Sequence, residues 1–116
     1  KNKVSVKITN AKGVKTISGT VFGEDVQRVV DLDGFVIDVE PKGKMIIMKN
    51  KDIPGVVGKV GNILGENGIN ISDFRLSRGK EGTALAVILI DEKANSKVTS
   101  ELDNLEASIA VAYAEI

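Results

Sequence analysis

Three polar side chains and one helix start carry the chemistry open to this chain. Asn50 and Asp52 stand in NKDIPG, just ahead of an apolar-periodic stretch, and Asn70 follows that stretch in NGINI. Backbone N–H groups left exposed where a helix begins form a ready anion site. Asp52 and the amide oxygens add acceptors for an ammonium group. A carboxylate and an ammonium on one small molecule match this set, so the residues suit binding an amino acid better than catalysis. The pattern places all three side chains at one end of a sheet. Each also has a plain structural reading, Asp52 as a helix cap and Asn70 as a turn residue after Gly68, and the residues alone leave both open. Arg75 and Arg78 have the reach for a phosphate or carboxylate, but on an edge-proximal strand and its turn they read as solvated.

The catalytic inventory is thin. With no His, imidazole bases, hydrolytic triads and two-histidine metal sites are missing, and with no Cys there is no thiol nucleophile, Cys-ligated zinc or disulfide framework. Sixteen Lys and Arg balance sixteen Asp and Glu, and only one Tyr and three Phe are available for base stacking, so nothing points to nucleic acid. Apolar content of 42% and charged content of 28% fit one soluble globular domain, or a small domain with an appended piece. The longest apolar run, Ala84–Ile90, is far short of the roughly 20 residues that cross a bilayer, and no signal peptide is read. Absence of Cys is compatible with the cytoplasm, which is the expected location. The chain begins at Lys1, directly in an alternating strand, and reads as a piece of a longer polypeptide.

The elements that must position these residues fall into two groups. Residues 1–42 are β-rich. Val4, Val6 and Ile8 alternate with Ser5, Lys7 and Thr9 at the period of a half-buried strand. A turn at Asn10–Gly13 leads to a strand over Val14–Phe22, and Gly23-Glu24-Asp25 breaks it. Arg28–Leu32 and Phe35–Val39 flank the turn signal Asp33-Gly34. Pro41-Lys42-Gly43 reads as a linker, a hinge and the domain boundary.

Residues 44–116 read as strand Lys44–Lys49, helix Pro54–Asn67, strand Ile69–Ser77, turn Arg78–Gly82, strand Thr83–Asp91, helix Asn95–Asn104 and strand Ala107–Glu115. This βαββαβ order is that of an α+β, ferredoxin-like domain: a four-stranded antiparallel sheet, both helices on one face, the first and third strands central. Pro54 suits a first helical turn, and Asn67-Gly68 suits a helix stop. In the second helix Ser96, Ser100, Glu101 and Asp103 read as solvated around a thin stripe of Val98, Leu102 and Leu105. Thr83–Ile90 is almost continuously apolar, as a central strand is, with part of it available to a partner sheet.

Gly58, Gly61 and Gly65 recur on one face of the first helix. Each interior Gly costs about 1 kcal/mol against Ala, so the three require compensation. Close approach of another backbone or ligand supplies it, and so does tight helix-on-sheet packing within the domain. The glycines lack the flanking residues of a P-loop or dinucleotide fingerprint.

The run KNKDIPGVVGKVGNILGENGINISDFRLSR, with GTALAVILID after it, resembles an ACT domain, a small-molecule-sensing module, over Lys44–Ile116. Upstream, ISGTVFGEDVQRVVDLDGFVIDVEP resembles the end of the intervening domain that precedes the ACT domain in long-type D-3-phosphoglycerate dehydrogenases. Ser18–Gly23 and Asp33-Gly34-Phe35 carry that second resemblance; iron–sulfur L-serine dehydratase β-subunits have a related layout. The resemblance implies a regulatory region that binds L-serine as feedback inhibitor of an NAD-linked enzyme oxidising 3-phosphoglycerate. Nothing in these residues resembles the NAD-binding or catalytic parts, so the region itself is expected to hold no cofactor, metal or catalytic residue. It also implies a homodimer of ACT domains side by side, with ligand at the first-helix interfaces. On that basis Asn50, Asp52 and Asn70 fall on ligand-contacting positions, the Gly55 and Val56 N–H groups lie near the carboxylate, and Gly58, Gly61 and Gly65 face the dimer partner. A purely structural oligomerisation domain is the competing expectation.

Overall fold

The computed structural model describes residues 3–9, 16–23, 28–32, 35–39, 42–79 and 81–115. The turns expected at 10–13, 24–25 and 33–34, and Pro41 of the linker, lie outside the described residues. The elements are β1 (Lys3–Thr9), β2 (Thr16–Gly23), β3 (Arg28–Leu32), β4 (Phe35–Asp38), β5 (Lys44–Lys51), α1 (Val56–Glu66), β6 (Ile71–Arg78), β7 (Thr83–Ile90), α2 (Ser96–Asp103) and β8 (Ser108–Glu115). They form two antiparallel four-stranded sheets, β1-β2-β3-β4 and β6-β7-β5-β8. The second sheet with its two helices is the expected α+β, ferredoxin-like unit, with β5 and β7 central.

Alternation along the central strands sorts side chains onto the two faces of the second sheet. Ile46, Met48, Ala86, Ile88 and Ile90 face the helices and pack with Val56, Val60, Leu64, Val98 and Leu102. Met45, Ile47, Leu85, Val87 and Leu89 point the other way and pack with Phe35 and Ile37 of the first sheet's last strand and with Val39 just after it. The molecule is thus layered as sheet, sheet, helices, and burial on both faces explains the unbroken apolar run of β7. Its cover is the chain's own first sheet, so no partner sheet is needed. Hydrogen bonding divides between β4 and β5, but the core does not.

Helix α1 begins two residues later than Pro54. Gly55 takes the left-handed conformation at φ 89°, which no helix interior accommodates, so Pro54-Gly55 form a turn ahead of the helix. The far end is as expected: Gly68 at φ 72°, Ile69 N–H on the Leu64 carbonyl and Gly68 N–H on the Gly65 carbonyl close a Schellman motif. Helix α2 is capped by Asn95, whose side chain accepts from the Val98 N–H at 3.1 Å. Asp103 is a correction. It is buried, accepting from the Ser108 hydroxyl at 3.1 Å, because the last turn of α2 folds under the start of β8.

Candidate functional site

The β5–α1 loop, the first turn of α1 and the end of β6 enclose a cleft of about 190 Å³. Sequence builds it locally. The side chains of Phe74, Leu76 and Arg78 alternate onto the helix side of β6 and form one wall. Met48, Asn50 and Ala86 form the floor from β5 and β7, and Pro54-Gly55 turns the chain over the top into Val56, Val57 and Gly58. The first intrahelical bond from the capping residue is Lys59 N–H to Gly55 carbonyl at 3.1 Å. The N–H groups of Val56, Val57 and Gly58 therefore have no partner among the described residues, and they carry the positive end of the helix dipole.

Asn50 is 4% exposed and its amide donates to the Lys51 carbonyl at 2.7 Å. Nothing among the described residues donates to its side-chain oxygen. A buried acceptor in that state costs stability unless something occupies the cleft beside it. Asp52 does not cap the helix, since no side chain bonds the end of α1. Its carboxylate instead meets the Arg78 guanidinium at 3.3 Å, and its N–H donates to the Gly82 carbonyl at 2.8 Å. Arg78 is exposed, as expected, with its side chain 74% accessible, and it also lines the rim of the cleft; the alternation Phe74, Leu76, Arg78 signals that second role. Arg75 does stay exposed, at 3.0 Å from Asp73, and its hydrogen bond is what chiefly holds the Asp73 carboxyl below its ordinary value.

Asn70 is not at this end. Asn50 and Arg78 both pair with Ala84, whereas Ile71, next to Asn70, pairs with Ile90, at the other end of β7. Along β6 this puts Asn70 roughly 25 Å from Arg78 at strand rise, and roughly 13 Å from Phe74, the nearest wall residue on that strand. The expected convergence on one end of the sheet does not occur within one chain. Asn70 is exposed, its amide on Asp91 at 2.7 Å and its N–H on Glu92 at 2.7 Å.

A Cβ built on Gly58, Gly61 or Gly65 would meet nothing within 4 Å, so intradomain packing does not require them. They lie beside a patch of exposed apolar side chains, Ile53, Val57 and Leu76, at the rim of the cleft and the edge strand β6. Among the described residues no cluster of His, Cys, Asp or Glu has the composition of a metal site, and no helix is long and apolar enough to cross a membrane.

The helix-bearing half of the chain is thus an α+β, ferredoxin-like sheet with a cleft at the β5–α1 turn. Residues 44–107 match the ACT domain family, and the chain belongs to it. The chain is 34% identical over 111 residues to D-3-phosphoglycerate dehydrogenase of Bacillus subtilis, covering 95% of this chain and 21% of that protein. Against the D-3-phosphoglycerate dehydrogenase of Archaeoglobus fulgidus it is 33% identical over 103 residues, covering 86% and 19%. The Synechocystis enzyme of the same name is 29% identical over 109 residues, covering 93% and 20%. The similarity falls on the C-terminal region of these proteins, and the chain spans about a fifth of their length.

Proposed function

We propose that this chain is the amino-acid-sensing region of a D-3-phosphoglycerate dehydrogenase, binding L-serine in the β5–α1 cleft and relaying feedback inhibition to an NAD-dependent catalytic region. The observation that carries the reading is the cleft's polar pairing. Asn50, whose buried amide oxygen has no donor among the described residues, lines the same cleft as three helix N–H groups that have no partner there. The ligand carboxylate lies on the N–H groups of Gly55 and Val56 and their neighbours in the first turn; its ammonium lies on Asn50 and Asp52. Arg78 cancels the charge of Asp52, so the cleft offers both signs to a zwitterion.

Asn70 joins the site from a second copy. β6 is an edge strand, and side-by-side antiparallel pairing of two such edges sets the start of one strand beside the end of the other. This same homodimer covers Ile53, Val57 and Leu76 and brings the glycine faces of two α1 helices together. Residues 1–42 are then the end of the intervening domain and 44–116 the ACT domain, in the cytoplasm with the rest of the enzyme. The named relatives are dehydrogenases, which favours this reading over an iron–sulfur L-serine dehydratase β-subunit.

Titration calorimetry of the chain with L-serine, glycine and L-alanine tests it. The expected result is saturable heat with L-serine that Asp52→Ala and Asn70→Ala each abolish while sedimentation still shows the dimer. No heat with any of the three ligands, with the dimer intact, would leave a purely structural oligomerisation domain.

A further inference from the structure

We propose that Phe35 and Gly79 couple the occupancy of the cleft to the sheet that precedes the ACT domain. This inference rests on the reading of the cleft as an L-serine site. Arg78 and Gly79 are consecutive, so they serve opposite faces of the second sheet. Arg78 turns toward the helices and holds Asp52 at 3.3 Å. At Gly79 a side chain would project to the other face, where an ideal Cβ stands 2.6 Å from both Cε2 and Cζ of Phe35. The hydrogen at Gly79 is thus a space that the Phe35 ring occupies.

The same β6–β7 connection also braces the ligand loop from its far end. Gly79 N–H donates to the Thr83 carbonyl at 2.8 Å, and the Gly82 carbonyl receives the Asp52 N–H at 2.8 Å. The loop bearing Asp52 and the strand bearing Phe35 therefore lean on opposite sides of one short connection. Phe35 is 8% exposed and sits in one core with Ile37, Val39, Leu85 and Val87, so its ring cannot yield without the first sheet yielding. Packed interiors transmit small displacements because they are close-packed and stiff. Ligand held by Asp52 fixes the connection from the cleft side, and Phe35 fixes it from the other. Coupling of this kind is reciprocal, so whatever Phe35 contributes to ligand affinity, ligand returns to the docking of β4.

The test combines L-serine calorimetry on the whole chain with amide hydrogen exchange at Phe35–Asp38, for the wild type, Gly79→Ala, Phe35→Leu and the double variant. Ligand is expected to slow exchange at Phe35–Asp38 in the wild type. Gly79→Ala, which pushes the ring away, is expected to bind about five-fold or more weakly and to lose that protection. Phe35→Leu, which only removes ring atoms, also loses the ligand-dependent protection, and it keeps the test open where Gly79→Ala fails to fold. The double variant, with room for the added methyl, recovers affinity from the level of Gly79→Ala to that of Phe35→Leu alone, which a generally damaged fold does not. Saturable L-serine binding with unchanged exchange at Phe35–Asp38, or wild-type affinity in Gly79→Ala, overturns the coupling and leaves the site intact. Absence of any heat in the wild type removes the site, and the coupling with it.

Discussion

Gly61→Ala separates a glycine stripe that meets another copy from one that merely faces water. In the single chain a Cβ at Gly61 meets nothing within 4 Å, and the position has no left-handed φ that would strain Ala. Helix propensity alone then makes the variant more stable, by about 1 kcal/mol. For a chain of 116 residues that is a rise of roughly 4 °C in Tm. At a symmetric interface the sign reverses, because every dimer receives two extra methyl groups where two backbones approach. Overpacking costs about 1 kcal/mol or more per site, so the pair weakens association by about 2 kcal/mol, roughly 30-fold in Kd. Thermal unfolding in dilute solution reads the first effect, and sedimentation velocity over a concentration series reads the second. The expected outcome is both together: a more stable protomer and a weaker dimer. Equal self-association of Gly61→Ala and wild type would refute the reasoning, since the stripe would then touch no second chain.

Other substitutions probe single contacts. Asp52→Asn removes both the Arg78 pairing and a charged acceptor. An exposed ion pair contributes little to stability, whereas a hydrogen bond to a charged group is worth about 1.5–3 kcal/mol. L-serine affinity should fall roughly 10- to 100-fold by calorimetry, with Tm within a few degrees of wild type. Asn95→Ala deletes the α2 cap at Val98 and should cost about 1 kcal/mol in denaturant unfolding. Leu64→Ala empties a fully buried position beneath α1 and should cost about 2–5 kcal/mol. Tyr113 is the sole Tyr and no Trp is present, so ultraviolet absorbance reports its ionisation directly. Burial, helped by Glu115, pushes its phenol up to about 12. Because the folded value is raised above the ordinary one near 10, this contribution to stability is complete below about pH 10 and is lost as pH climbs through 12. Tyr113→Phe should flatten that alkaline slope.

What could be read from sequence divides by the range of the interaction responsible. The order of β5 through β8 and both helices rests on periodicity and punctuation within a few residues, and each of those elements formed. The Schellman close at Gly68 was legible because the left-handed residue and its hydrogen bonds are local. Pro54 misled because two local rules compete there: Pro fits a first turn, but Gly55 immediately after it takes a positive φ and delays the helix. Asp103 misled, and the contact of the exposed Arg78 with Asp52 went unread, for a different reason. Both have exposed-looking neighbours in sequence, and only the fold of α2 under β8, or the position of β6 beside the β5–α1 loop, decides what their side chains meet. The two sheets share no strand pairing among the described residues, yet Phe35, Ile37 and Val39 carry the core across the expected boundary. Linker composition reports backbone freedom and says nothing about a face-to-face sheet contact.

Asn70 and the glycine stripe, which look unrelated along the chain, make the same argument about assembly. Three interior glycines forgo about 3 kcal/mol of helix propensity, a large part of the 5–15 kcal/mol that stabilises an ordinary domain. Nothing near their faces in one chain recovers that loss. Asn70 lies at the opposite end of β6 from Arg78 and Asn50, whose chemistry it matches. The proposed two-fold axis beside β6 would resolve both, since it would exchange the ends of that strand and bring α1 against its own copy. The cleft would then be half a site in each protomer, and ligand affinity would depend on protein concentration. Dilution below the dimer dissociation constant should abolish L-serine binding in the wild type. It should do so at higher protein concentration in Gly61→Ala, by the same factor as the shift in dimerisation. A site that binds equally well in the dilute monomer would show that Asn70 from the second copy is not part of it, and the glycines would need another cause.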